Sequence, residues 1–215
     1  EQVEVKVGVG NTLTLPFSRT IPSVLTMTSG NIDLGANSLT LGISGTQTGT
    51  LNYSSGFIVS TTGYFSRWYP ILSLPTTSTL AFPVSDGVHQ RMVSIYFSSS
   101  SALSTAGTIG ARHTSVTGTT SSLSVADGAF TITDRTNSYW SFITGNGLVA
   151  NGTIGIKVGA DALSLYGPVA ANRIMNANSV VGNHVNGTLT SSVVYAERNG
   201  LSVADLTGSP FYIGY

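Results

Sequence analysis

The chain has 215 residues with nine Lys/Arg, nine Asp/Glu, no formal net charge and no cysteine. Only 8% of its residues are charged, about a third of the usual share, and 96 of 215 positions are Ser, Thr, Gly or Asn. This composition excludes the basic footprint of a nucleic-acid binder, a transmembrane helix, a disulfide framework and any thiolate site, while 41% hydrophobic residues exclude disorder.

Residues 1–9 alternate without a break, with Val3, Val5, Val7 and Val9 on one face and Gln2, Glu4, Lys6 and Gly8 on the other. That pattern predicts a strand with one buried face. Residues 24–60 differ in texture: Leu25-Thr-Met27, Ile32-Asp-Leu34, Leu39-Thr-Leu41 and Leu51-Asn-Tyr53 are short apolar–polar–apolar pulses between Gly, Ser or Asn turns. They suit a short solenoid-like section, although the repeat is too irregular for a long array. Further period-two runs follow at 92–97, 123–125, 130–132, 140–143, 154–158, 189–195 and 211–215. Four Asn-Gly pairs (146, 151, 186, 199) and two Asp-Gly pairs (86, 127) predict tight hairpins, with Asn151-Gly152 the clearest. Residues 161–166 and 202–206 have room for one helical turn each. The expected fold is all-β: a single β-sandwich-like domain over 16–215, with a short solenoid-like section and residues 1–15 as an N-terminal arm.

Tyr64, Arg67, Trp68 and Tyr69 form the densest aromatic patch. Such rings serve as a ligand platform for sugars or as core, and alternation places Trp68 and Tyr69 on opposite faces. Tyr139-Trp140 is weighed the same way. His89, His113 and His184 are far apart and belong to no nucleophile or metal motif, so they read as surface or loop histidines. The carboxylates lack calcium-loop spacing, and Asp86 and Asp127 precede Gly, where a turn role suffices. Arginines outnumber lysines seven to two, which suits buried, interface or strand-end ion-pair roles. The expected sets of catalytic, cofactor and metal residues are therefore empty.

From about residue 24 onward the chain resembles a β-rich body region of large secreted surface proteins of Bacteroidota. The matching stretches are 28–42 (TSGNIDLGANSLTLG), 49–56 (GTLNYSSG), 65–70 (FSRWYP), 82–84, 138–140, 172–174, 200–206 (GLSVADL) and 211–214 (FYIG). In that family the region precedes a C-terminal sorting domain read by the type IX secretion system. The resemblance implies export, trimming at both ends and an extracellular or cell-surface location, with no catalytic residues to carry over.

An alternating strand at a free terminus can pair with its own sheet or with a neighbour's open edge. The leading expectation is a non-enzymatic structural protein that self-assembles into a filament, fibre or sheath, with the strand bearing Val3, Val5, Val7 and Val9 donated to the next copy. The alternative is an adhesin or glycan-binding module using Tyr64, Arg67, Trp68 and Tyr69. The expected partners are thus further copies of the chain and surface glycans.

Overall fold

In the computed structural model, which describes residues 1–72, 78–97, 102–162, 169–190 and 193–215, the chain begins as a three-sided β-solenoid. The first coil is β1 (Gln2–Lys6), β2 (Thr12–Thr14) and β3 (Arg19–Ile21). The second is β4 (Val24–Ser29), β5 (Asn31–Asp33) and β6 (Leu39–Leu41), and the third is β7 (Thr50–Tyr53), β8 (Ile58–Val59) and β9 (Phe65–Tyr69). Equivalent strands stack in parallel as β1-β4-β7, β2-β5-β8 and β3-β6-β9. The register stacks apolar residues, Val3 on Leu25 on Leu51 and Leu13 on Ile32 on Ile58, while on the third side Ile21 on Leu41 ends at Arg67. Each apolar pulse fills one side of one coil.

One corner is made by Gly8, Gly30 and Gly56, all in the left-handed region at φ +88°, +85° and +89°. A Cβ on Gly56 would sit 1.9 Å from the Gly30 carbonyl oxygen, so only glycine lets the coils approach here. The solenoid is therefore longer than the sequence pattern implied, and residues 1–15 supply β1 and β2 of its first coil.

The rest of the chain builds the sandwich-like part. Its strands are β10 (Ser78–Phe82), β11 (Val93–Phe97), β12 (Ala102–Thr105), β13 (Gly107–Thr114), β14 (Thr119–Thr120), β15 (Val125–Asp127), β16 (Phe130–Ile132) and β17 (Arg135–Thr136). They continue with β18 (Tyr139–Gly145), β19 (Val149–Asn151), β20 (Ile154–Ala160), β21 (Arg173–Asn176), β22 (Asn183–Thr190), β23 (Val193–Leu201) and β24 (Phe211–Gly214). A five-stranded antiparallel sheet runs β10-β11-β20-β23-β22. The larger sheet is mixed: the solenoid side β3-β6-β9 continues into antiparallel β13, β18, β24, β17 and β14, with β21 beside β24. The last coil is thus also the first strand of the sandwich.

The two sheets face each other over one apolar core. Phe65 meets Phe82 edge-on at 5.9 Å, Tyr69 meets Phe97 at 5.3 Å, and the Tyr69 hydroxyl donates to the Ile95 carbonyl at 3.1 Å. Trp140 is fully buried, and its Nε1–H donates to the Arg91 carbonyl at 2.8 Å.

The turn signals divide in outcome. Asp127-Gly128 does turn a hairpin, since Asp127 pairs with Phe130 across two loop residues. Asn151-Gly152 does not: β19 pairs with β12, whereas β20 pairs with β11 and β23. Asn186-Gly187 lies where the register of β22 against β23 slips. Positive φ serves a bulge as readily as a turn. The predicted turn at 202–206 is α1 (Val203–Gly208), capped reciprocally by Ser202 and Asp205. The one at 161–166 falls largely outside the described residues.

Candidate functional site

The two ends of the solenoid are finished differently. At the third coil, β9 runs into the large sheet and β8 is continued by residues 83–85, with Ile58 N–H donating to the Pro83 carbonyl and Ser85 N–H to the Ile58 carbonyl. At the first coil, β1, β2 and β3 are each the outermost strand of their sheet. Leu15 N–H donates to Asp33 and Arg19 N–H to Ser38, at 2.8 and 2.9 Å, while Asn11 and Ile21 accept from Asn31 and Gly42. Successive peptide groups of a strand point to opposite edges, so Thr12, Thr14 and Thr20 direct their N–H and C=O groups away from the second coil. Among the described residues no strand faces these groups, which form an open hydrogen-bonding rim.

The exposed apolar residues of the N-terminal region gather at this rim. Val7, Leu13, Phe17 and Val9 are 37%, 39%, 60% and 91% exposed, whereas Ile32, directly beneath Leu13, is 2% exposed. Charge protects the rim unevenly. Glu1 pairs with Arg19, and Glu4 accepts from the Thr28 hydroxyl at 2.9 Å; the Arg19 hydrogen bond holds the Glu1 carboxyl below its usual range. β2 carries no charged residue.

The strand expected to leave the molecule is placed on its own chain. β1 pairs in parallel with β4, Val5 is buried and Val3 packs against the core. The alternation breaks where β1 ends at Lys6, and Gly8 and Gly10 turn the chain through positive φ, which leaves Val7 and Val9 outside. In the single chain the strand expected to be donated is a cis strand, and among the described residues the first coil presents an edge with no strand beside it.

The four platform residues are also separated. Arg67 and Tyr69 point inward: Arg67 donates to the Ala81 carbonyl at 2.9 Å, and Tyr69 is fully buried. Burial pushes the Tyr69 hydroxyl far above its usual range and lowers the Arg67 pKa. Tyr64 and Trp68 lie on the opposite, outer face of β9, so no coplanar platform of all four exists. The outer face instead pairs Tyr64 with Arg112 of β13, whose guanidinium carbon sits 4.9 Å from the ring centre. Farther along, Tyr139 lies 5.5 Å from Tyr212, and Arg135 stacks 3.8 Å above Tyr212. Sequence reasoning missed these stacks because each partner comes from another strand.

The polar interior is an ion-pair network. Arg91, 3% exposed, lies 3.6 Å from Asp86 and 3.1 Å from Asp161, and Asp86 also accepts from the backbone of Val88 and His89 and from His89 Nδ1. Burial alone would raise the Asp86 carboxyl; those bonds and the Arg91 charge outweigh it and hold it at about 2. A cavity of about 240 Å³ opens beside this cluster, lined by Asp86, His89, Arg91, Thr136 and Ser138 among others. His113 is no surface histidine: it is buried 5.0 Å from Trp140, and burial together with Arg91 lowers its pKa to about 3. Asp127 does more than turn the chain, holding buried Arg198 of β23 and Arg173 of β21. Among the described residues no three His, Asp or Glu side chains converge as a metal site, and no helix is long and apolar enough to cross a membrane. The carboxylates of both clusters already answer arginines, which suits anchoring rather than proton transfer.

No family model, curated protein or solved structure matches the chain.

Proposed function

We propose that this chain is a non-enzymatic structural protein of the extracellular or cell-surface space, which self-assembles head to tail through the uncapped first coil of its solenoid. The observation that carries the reading is the open rim itself: three edge strands around one end, outward-facing peptide groups at Thr12, Thr14 and Thr20, and exposed Leu13 and Phe17 beside them. Exposed edges invite strand pairing unless charge or proline guards them, and β2 has neither. A complementary edge is available on the same chain. β22 has a hydrogen-bonded partner on one side only among the described residues, and its eight residues include no Asp, Glu, Lys or Arg. Joining two different edges is a heterologous contact that propagates as a filament. The surface location is supported by the sequence resemblance at 28–42, 65–70 and 200–206.

Negative-stain microscopy and sedimentation of the wild type and of Leu13→Lys/Thr14→Pro test the assembly. Neither substitution removes a hydrogen bond to the second coil, because the Thr14 N–H points outward and Pro is accepted at such edge positions. Filaments or concentration-dependent oligomers in the wild type, lost in a variant of unchanged Tm, are expected. A wild type that stays monomeric at high concentration, or a variant that assembles equally well, contradicts the proposal.

A further inference from the structure

The outer faces of the two sheets treat their cations in opposite ways. On the five-stranded sheet, Lys157 lies directly across from Glu197, Tyr96 donates to Glu197 at 2.7 Å, and Lys157 sits 4.9 Å from the Tyr195 ring. That face neutralises itself. On the large sheet the outward residues of β9, β13 and β18 are Ser66 and Trp68, then Thr108, Gly110, Arg112 and Thr114, then Tyr139, Ser141 and Ile143, with Tyr64 just before β9. Tyr212 and Arg135 extend the face toward β24 and β17. These outward residues include two arginines and no carboxylate; at the β21 edge of the same face Arg173 is already answered by Asp127 at 3.3 Å. Among the described residues neither Arg112 nor Arg135 has an acidic partner within ion-pair distance.

Both guanidinium groups are nonetheless held in place. Arg112 rests on Tyr64 and donates to the Thr61 carbonyl at 3.3 Å; Arg135 rests on Tyr212 and donates to the Thr136 carbonyl at 3.4 Å. Stacking fixes a planar cation without neutralising it; Nε of each is buried, so the terminal nitrogens of the guanidinium are the donors a ligand would meet. A stacked, unpaired arginine is a preorganised fork for a carboxylate. Between and beside the two forks lie a half-buried Trp68, one exposed aliphatic residue, Ile143, and half-buried Ser141, with Ser66 and Thr108 buried beneath. Arg135 precedes Ser141, the partner of Arg112 across β13 and β18, by six residues, a backbone offset of up to about 20 Å along the strand direction.

We propose that this face binds an acidic polysaccharide, with Arg112 and Arg135 pairing with uronate carboxylates and Trp68 stacking against a sugar ring. The charge picks the ligand class: two stacked cations with no acidic partner complement a chain of spaced anions, and Trp68 beside them offers a ring face to a sugar. This site is separate from the solenoid rim and does not depend on assembly.

The test is affinity electrophoresis and calorimetry with polygalacturonate, a neutral glucan and a single-stranded oligonucleotide. The proteins are the wild type, Arg112→Gln/Arg135→Gln, Trp68→Ala and, on the other face, Lys157→Gln. Circular dichroism and Tm verify that each variant is folded. The expected result is salt-sensitive retention by polygalacturonate, reduced about ten-fold per arginine removed, weakened by Trp68→Ala and unchanged by Lys157→Gln. Absence of retention, equal retention by the neutral glucan or the oligonucleotide, or indifference to the double arginine variant would overturn the site.

Discussion

The first and third coils of the solenoid are built from the same pulses in the same register, yet one is buried on both sides and the other on only one. Down a single stack, Arg19 over Leu39 over Phe65, the side chain passes from largely exposed to 1% and then 0% exposed. The strands are alike; the neighbours differ. Phe65 has Phe82 and the second sheet beyond it, and Arg19 has only Glu1 at its side. A β-solenoid cannot end its own ladder of peptide groups, so each end must be covered by something else. One end is covered by the chain's own sandwich, and among the described residues no strand pairs with the other edge.

The largest effects should fall on the covered end. Phe65→Ala is expected to cost about 3–5 kcal/mol, whereas Phe17→Ala at the rim should stay within about 0.5 kcal/mol. Urea unfolding of both variants checks this, and equal losses would erase the distinction between the ends. Ion pairs offer a second contrast. Asp127→Ala strands buried Arg198 and should cost about 3 kcal/mol or more, while Glu1→Gln should leave the urea midpoint unchanged.

A smaller effect follows from His113 in the sandwich interior. The unfolded chain takes up a proton near pH 6.5, and the folded chain resists it down to about 3. The unfolded state therefore binds more protons in that window, so stability is full above pH 6.5 and falls as pH drops toward 3, by at most about 1.4 kcal/mol per pH unit for this group. His184, also lowered by burial, adds a slope of the same sign. Asp86, held at about 2, contributes only below its ordinary value of 3.8. His113→Phe should flatten the profile of urea midpoint between pH 6.5 and 4.5; an unchanged slope would show that the imidazole is hydrated in the folded protein.

Period-two alternation made the all-β class legible, and the pulses at 25–27, 32–34, 39–41 and 51–53 pointed to stacked coils. The first coil was harder to see. Its Val3, Val5, Val7 and Val9 look like one long strand, and only the glycine corner at 8, 30 and 56 ties it to the coils below. Those glycines are spaced 22 and 26 residues apart because a turn at Ser44–Gln47 lengthens the second coil, which blurs the repeat. The aromatic patch was half legible: alternation separated Trp68 from Tyr69, but the arginines that complete the outer face come from β13 and β17. Pairings between distant strands depend on how the sheets close, which a local pattern does not encode.

The central claim is that the rim of the first coil is where copies join, and its most direct test is amide hydrogen exchange followed as protein concentration rises. The account predicts that Thr12, Thr14 and Thr20, whose amides face solvent in the single chain, gain protection on assembly, while amides already bonded to the second coil, such as Leu15 and Arg19, change little. Continued fast exchange at all three threonines in the assembled protein would contradict it.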